Sequence, residues 1–152
     1  SVSYQRLGDL MRALGQGEQA REFFENSLAI IKRLAEAEPG RADYQRDLSV
    51  SYNKLGDLMS TLGQGEQARE FFEKSLAIRE RLAEAEPGRA DYQRDLCVSL
   101  ARCAQALGTQ GTTLAAQPAA LARDSRDSGR LTAADDGLVA ALDTLIESLA
   151  TK

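Results

Sequence analysis

Apolar side chains recur along the middle of the chain at alternating spacings of four and three residues. The positions are Leu48, Tyr52, Leu55, Met59 and Leu62. This spacing places one apolar stripe along an amphipathic helix, which we predict to be about 20 residues long. No stretch of the sequence alternates apolar and polar residues, so no strand is predicted.

The stripe is interrupted by Gly63 and Gly65, and a second stripe follows. Gly63 suits the left-handed conformation just past a helix end, and Gly65 permits a tight turn. The second stripe consists of Ala68, Phe71, Phe72, Ser75, Leu76 and Leu82. It ends at Pro87 and Gly88, since proline lacks a backbone donor and glycine lets the chain reverse. The two stripes together predict a helical hairpin.

The hairpin pattern is repeated almost without change. Residues 1–48 and 49–96 align without a gap and are identical at 41 positions. The differences are Gln5/Asn53, Arg6/Lys54, Arg12/Ser60, Ala13/Thr61, Asn26/Lys74, Ile31/Arg79 and Lys32/Glu80. A third copy begins at Arg89 but changes at Cys103, and Leu107 and Gly108 end its first helix early. A fixed period of this kind is typical of stacked-repeat proteins.

Small and large residues alternate along both predicted helices. Gly8 and Gly56 lie inside first helices, where glycine costs about 1 kcal/mol relative to alanine. Their presence in both copies indicates a close approach of a neighbouring helix. Small residues at Ala20, Ser27, Ala68 and Ser75 allow similar contacts, and Phe24 and Phe72 supply bulk between them.

These residues resemble the tetratricopeptide repeat family. The matching positions are Tyr4, Leu7, Gly8, Met11, Ala20, Phe24 and Ser27, repeated as Tyr52, Leu55, Gly56, Met59, Ala68, Phe72 and Ser75. The unit departs from the family's usual length of roughly 34 residues, and its closing prolines, Pro39 and Pro87, come seven residues late. The resemblance covers residues 1 to about 107. It implies an all-α fold, a right-handed superhelical stack of antiparallel helix pairs with about seven helices.

The chain divides on this basis into four segments. Residues 1–48 form the first repeat, with a truncated first helix, and residues 49–96 form the second. Residues 97–130 are a degenerate third repeat, and residues 131–152 are a C-terminal capping helix lined by Leu138, Leu142, Leu145 and Leu149. The same leucine spacing also fits a dimerisation helix. Because the chain starts inside a repeat, we expect it to be a fragment of a longer protein.

Composition narrows the function classes. The 152 residues are 43% apolar and 28% charged, which is normal for a folded protein, and the net charge of −4 argues against nucleic-acid binding. No apolar run approaches the roughly 18 residues that a membrane span requires. The two cysteines, Cys97 and Cys103, lie six residues apart on one predicted helix and are expected to stay reduced. We therefore expect a cytoplasmic protein.

The sequence contains few of the residues that catalytic and metal sites commonly use. The chain has no histidine, so it lacks the commonest general base near neutral pH and any Cys/His metal site. Gly15 and Gly17 could be mistaken for a phosphate loop, but no strand precedes them and the Gly-Lys-Ser/Thr ending is missing. We predict no enzymatic activity, no cofactor and no metal.

The credible site is therefore a surface. In stacked helical hairpins the first helices line the concave wall, where segments of partner proteins lie. The wall positions outside the apolar stripes are Gln5, Asp9, Arg12, Asn53, Asp57 and Ser60. Asn53 is the strongest candidate, because its amide can both donate to and accept from a peptide backbone.

The function expected from the sequence is a protein–protein interaction scaffold that binds an extended peptide or a helix of a partner on this wall. The alternative is a structural module that self-associates through the truncated first hairpin or the closing helix. Neither a nucleic acid nor a membrane is expected as a partner.

Overall fold

The computed structural model describes residues 2–107, together with Ala120, Arg123, Asp124, Asp127, Ala140, Asp143, Thr144 and Glu147. Within residues 2–107 the chain forms five α-helices and no strand. They are α1 (Val2–Ala13), α2 (Gly17–Ala37), α3 (Ala42–Thr61), α4 (Gly65–Ala85) and α5 (Ala90–Leu107).

The prediction of helical hairpins is confirmed over this range, but the predicted total of about seven helices is not established. Most of the residues assigned to the later helices, in 108–130 and in the capping helix 131–152, lie outside the described part of the chain. The division into four repeat segments therefore stays a prediction.

Glycines end the first helix of each hairpin, as the sequence predicts. Gly15 has φ 73° and Gly63 has φ 74°, the left-handed region that glycine enters without steric cost. The next amide, that of Gln64, donates to the Met59 carbonyl at 2.8 Å, and the Gly63 amide donates to the Ser60 carbonyl at 3.1 Å. This pair of bonds is a Schellman motif, which satisfies carbonyls that the helix end leaves open. Gly65, expected in the turn, is instead the first residue of α4.

Each hairpin is closed by an aromatic ring lying against a glycine. A Cβ atom added at Gly8 would lie 2.5 Å from Cε1 of Phe24, and one at Gly56 would lie 2.6 Å from Cδ1 of Phe72. A second aromatic pair accompanies each contact, with the rings of Tyr52 and Phe71 centred 6.2 Å apart. The close approach predicted at the two glycines is therefore confirmed, and its partner is a phenylalanine of the second helix.

The chain divides into two compact units, residues 1–78 and 79–152, with the division inside α4. In the first unit α1 packs on α2, and α2 packs on α3. The buried apolar side chains of this unit are those of Ala20, Phe24, Ile31, Ala35, Leu48, Leu55, Leu58, Met59, Ala68, Phe72 and Ile78. Of the predicted stripes, Leu48, Leu55, Met59, Ala68, Phe72 and Ser75 are buried. Tyr52, Leu62, Phe71, Leu76 and Leu82 are only half-buried, while Leu58 and Ile78 join the core from outside the stripes.

The second unit contains the last turns of α4 and all of α5. Its described buried side chains include Ala83, Tyr92, Leu96, Leu100 and Ala104. Cys97 and Cys103 are both buried, and they do not form a disulfide bond with each other. Burial raises the pKa of the Cys97 thiol to about 11, because the thiolate would lose its hydration.

Candidate functional site

Two polar contacts join the first helices of successive hairpins. The Gln5 amide on α1 donates to the hydroxyl of Ser51 on α3, with Nε2 and Oγ 3.2 Å apart. One turn further along, the Lys54 ammonium donates to the Asp9 carboxylate at 2.5 Å. Together they join α1 and α3 into one polar strip, which we call the first-helix face. The six residues proposed from the sequence all lie on these two helices.

The first-helix face carries charge that is already partly neutralised. Asp9 accepts from Lys54 and also lies 3.9 Å from the Arg12 guanidinium, one turn along α1. The Lys54 ammonium also lies 5.7 Å from the centre of the Phe24 ring, within the range of a cation–π contact. Lys54 therefore links the polar strip to the glycine–phenylalanine contact beneath it.

The six proposed residues differ in how far they reach the surface. Arg12 and Ser60 are exposed, while Gln5, Asp9 and Asp57 are half-buried. A role of these five positions in partner binding stays a prediction.

Asn53 differs from the other five, because its side chain is only 5% exposed. Among the described residues its Oδ1 atom finds no hydrogen-bond donor, which is costly for a buried amide. The sequence singled out Asn53 because its amide can both donate to and accept from a peptide backbone, whereas the structure buries this side chain. Its role in binding stays a prediction.

Sequence reasoning missed Ser51 and Lys54, the two α3 residues that hold α1. The copies carry Arg6 where Lys54 stands, so the basic character of this position was visible in the alignment. What was not visible is that it contacts the helix of the preceding copy at Asp9. A helical wheel drawn for a single copy places Asp9 on the binding wall, but it cannot show a contact with a residue of the next copy.

The described residues were also compared with the requirements of a metal site. No group of three or more His, Cys, Asp or Glu side chains that could hold a metal ion occurs among them. The polar atoms of the first-helix face are amides, hydroxyls, carboxylates and cations, the groups that bind peptide segments through hydrogen bonds and ion pairs.

Comparison with known families agrees with this geometry. Residues 1–81, more than half of the chain, match the family model described as tetratricopeptide repeat. The chain therefore belongs to the tetratricopeptide repeat family. This family is generally a non-catalytic repeat scaffold, and its repeats generally mediate protein–protein interactions. No curated protein matches the chain.

Among the helices of residues 2–107, none combines the length and the apolar character needed to cross a bilayer.

Proposed function

We propose that this protein is a protein–protein interaction scaffold that binds an extended peptide or a helix of a partner on the first-helix face. The observation that supports this most directly is the pair of contacts Gln5–Ser51 and Asp9–Lys54, which align α1 and α3 side by side. A partner segment lying across both helices meets the half-buried carboxylate of Asp57 and the exposed side chains of Arg12 and Ser60.

This binding requires no covalent chemistry, so neither a cofactor nor a metal is part of the proposal. A cytoplasmic setting is part of it, because Cys97 and Cys103 lie six residues apart on α5, too far along the helix for a disulfide with each other, and thiols stay reduced inside cells. The right-handed superhelical arrangement implied by the family also belongs to the proposal, since it makes the first-helix face concave.

The test is a selection of peptides from a random displayed library on the whole chain, followed by measurement of Kd for the selected peptides. Asp57→Ala removes a carboxylate from the face, and Ser60→Arg installs the residue that the first copy carries at Arg12. We expect each change to shift the Kd by about fivefold or more, equivalent to about 1 kcal/mol. Glu22→Ala, an exposed change on α2, is the control and should leave the Kd unchanged.

If the selected peptides bind all three variants as tightly as the unchanged protein, the first-helix face is not the binding site. If the library yields no peptide that binds, the scaffold function itself is contradicted.

Self-association is a second candidate function, and the exposure of α1 favours it. Leu7 and Leu10 are 40% and 51% exposed, whereas Leu55 and Leu58, their equivalents in α3, are 0% and 1% exposed. A second copy of the chain could cover this apolar face of α1. The other route considered, through the closing helix 131–152, falls outside the described residues.

Sedimentation velocity over a wide concentration range tests this alternative. Self-association through α1 predicts a dimer that Leu7→Ser with Leu10→Ser dissociates, while Leu34→Ser, at an exposed leucine of α2, leaves it intact. A monomer at every concentration rules the alternative out.

A further inference from the structure

A groove lies between the last turns of α4 and the first half of α5, within the second unit. Its volume is about 350 Å³, at the lower end of the range for ligand pockets. The lining residues that matter here are Glu80, Ala83, Glu84, Gln93, Leu96 and Leu100. We call it the α4–α5 groove.

The floor of the groove is apolar and its rim is acidic. Ala83, Leu96 and Leu100 are buried and form the floor. Glu80 and Glu84 are exposed and lie one helical turn apart on α4, so their carboxylates share one side of the helix. Neither forms an ion pair or a hydrogen bond with any residue that the structure describes.

The first copy of the repeat has an ion pair at the positions equivalent to this rim. There Lys32 stands in place of Glu80, and its ammonium lies 4.0 Å from the carboxylate of Glu36. Glu36 is the equivalent of Glu84. The change from lysine to glutamate therefore replaces an ion pair by two negative charges at the i and i+4 positions. Like charges at this spacing repel each other.

Equivalent glutamines of the two copies donate to different acceptors. The Gln45 amide on α3 donates to the Ala35 carbonyl on α2 at 3.3 Å, bridging the two helices. The equivalent Gln93 on α5 donates instead to the Pro87 carbonyl in the connecting loop at 3.4 Å. The Gln93 amide thus donates to the connecting loop rather than to α4, and Gln93 lines the groove beside the apolar side chains.

The walls of the groove are held together by a buried cation. Arg79, only 6% exposed, replaces Ile31 of the first copy and donates from Nη1 to the Asp95 carbonyl on α5 at 2.7 Å. The Arg79 guanidinium therefore lies in the contact between α4 and α5. Glu80 and Glu84 remain without an ion-pair partner among the described residues.

We propose that the α4–α5 groove binds a basic amphipathic segment of a partner protein. One apolar side chain of the segment enters the groove against Leu96 and Leu100, and Lys or Arg side chains beside it pair with Glu80 and Glu84. A partner is a better occupant than a second copy of this chain, whose net charge of −4 opposes docking on an acidic rim. This site involves α4 and α5 and shares no residue with the first-helix face.

The test uses a short fluorescein-labelled peptide of alternating leucine and lysine pairs, with fluorescence anisotropy as the readout. Two matched probes replace every leucine by serine or every lysine by glutamate. We expect the leucine–lysine probe to bind, and the other two probes to bind at least about tenfold more weakly.

The variant Glu80→Lys restores the residue of the first copy, which can pair with Glu84 as Lys32 pairs with Glu36. It should weaken binding of the leucine–lysine probe about tenfold or more, because an attraction becomes a repulsion. Glu22→Lys makes the same change of charge at an exposed position of α2 and serves as the control. Circular dichroism checks that both variants remain folded.

Three results would overturn the proposal: no binding of the leucine–lysine probe, equal binding of the serine probe, or equal weakening by Glu80→Lys and Glu22→Lys. If the unmodified protein forms a dimer and Glu80→Lys dissociates it, the occupant of the groove is a second copy of this chain and not a partner protein. Asp57→Ala should leave this binding unchanged, so the outcome is independent of the test of the first-helix face.

Discussion

The Lys54 ammonium lies 2.5 Å from the Asp9 carboxylate, an ion pair that joins the first helices of two successive hairpins. The pair is not fully buried, since 27% of the Lys54 side chain and 40% of the Asp9 side chain are exposed. Solvent therefore screens much of its Coulomb energy, and its main effect is to fix how α3 lies beside α1.

A double-mutant cycle with Asp9→Ala and Lys54→Ala should give a coupling energy of about 0.5–1 kcal/mol. The coupling should decrease at high salt, because partly exposed charges are screened. Urea unfolding measures it. The exposed Arg69–Glu73 pair within α4 is the control, with an expected coupling of about 0.3–0.5 kcal/mol. A coupling of zero at low salt would contradict the role given to this pair.

Gly56→Ala should destabilise the protein even though alanine is the better helix former. The added Cβ would meet the Phe72 ring at 2.6 Å, so the ring or the helix has to move. We expect the free energy of unfolding to fall by about 1–3 kcal/mol. Gly65→Ala is the matched control, since no atom lies within 4 Å of its added Cβ. Equal stability of the two variants would show that the ring does not restrict position 56.

Phe72→Ala should lower the free energy of unfolding by about 3–5 kcal/mol, because it leaves a cavity between α3 and α4. The neighbouring Phe71 is only half-buried and stacks on Tyr52, so Phe71→Ala should cost less. Thermal and urea unfolding monitored by circular dichroism compare the two. A smaller loss for Phe72→Ala than for Phe71→Ala would contradict the packing described.

Cys97 should make the protein less stable at high pH. In the unfolded chain the thiol releases its proton near pH 9, whereas burial raises its pKa in the folded chain to about 11. Below pH 9 both states hold the proton. Above it the unfolded state binds fewer protons, so the free energy of unfolding falls as the pH rises from about 9 to about 11.

Cys97→Ser separates this effect from other titrations. It introduces the residue found at the equivalent Ser49, whose hydroxyl donates to the Arg46 carbonyl at 2.7 Å. Urea unfolding at about pH 8 and about pH 10 should show a larger loss for the unchanged protein than for the variant. Equal losses would mean that the thiol does not contribute.

The sequence was sufficient to predict local structure, because the deciding residues act within a few positions of themselves. Gly63 ends α3 through its own backbone conformation, and the proline at position 87 follows the end of α4. The glycine at position 56 was correctly read as a place of close approach, since no other property of glycine accounts for it inside a helix.

Features that depend on the neighbouring helix were not predicted. The burial of Asn53 and the pairing of Lys54 with Asp9 require knowing which residues of adjacent helices face each other. Arg79 illustrates the same limit: an arginine on a helix is predicted to be a surface residue, whereas the structure buries it and its guanidinium donates to the Asp95 carbonyl on α5. Membership of the tetratricopeptide repeat family was predicted, and the choice of binding residues stays a prediction.

The fit of the Phe72 ring against Gly56 restricts how the two positions can change during evolution. A larger residue at position 56 requires a smaller one at position 72, and making either change alone passes through a less stable protein. The duplicate pair, Gly8 and Phe24, is under the same restriction. Substitutions should therefore accumulate around these pairs rather than within them, and all seven differences between the two copies lie at other positions.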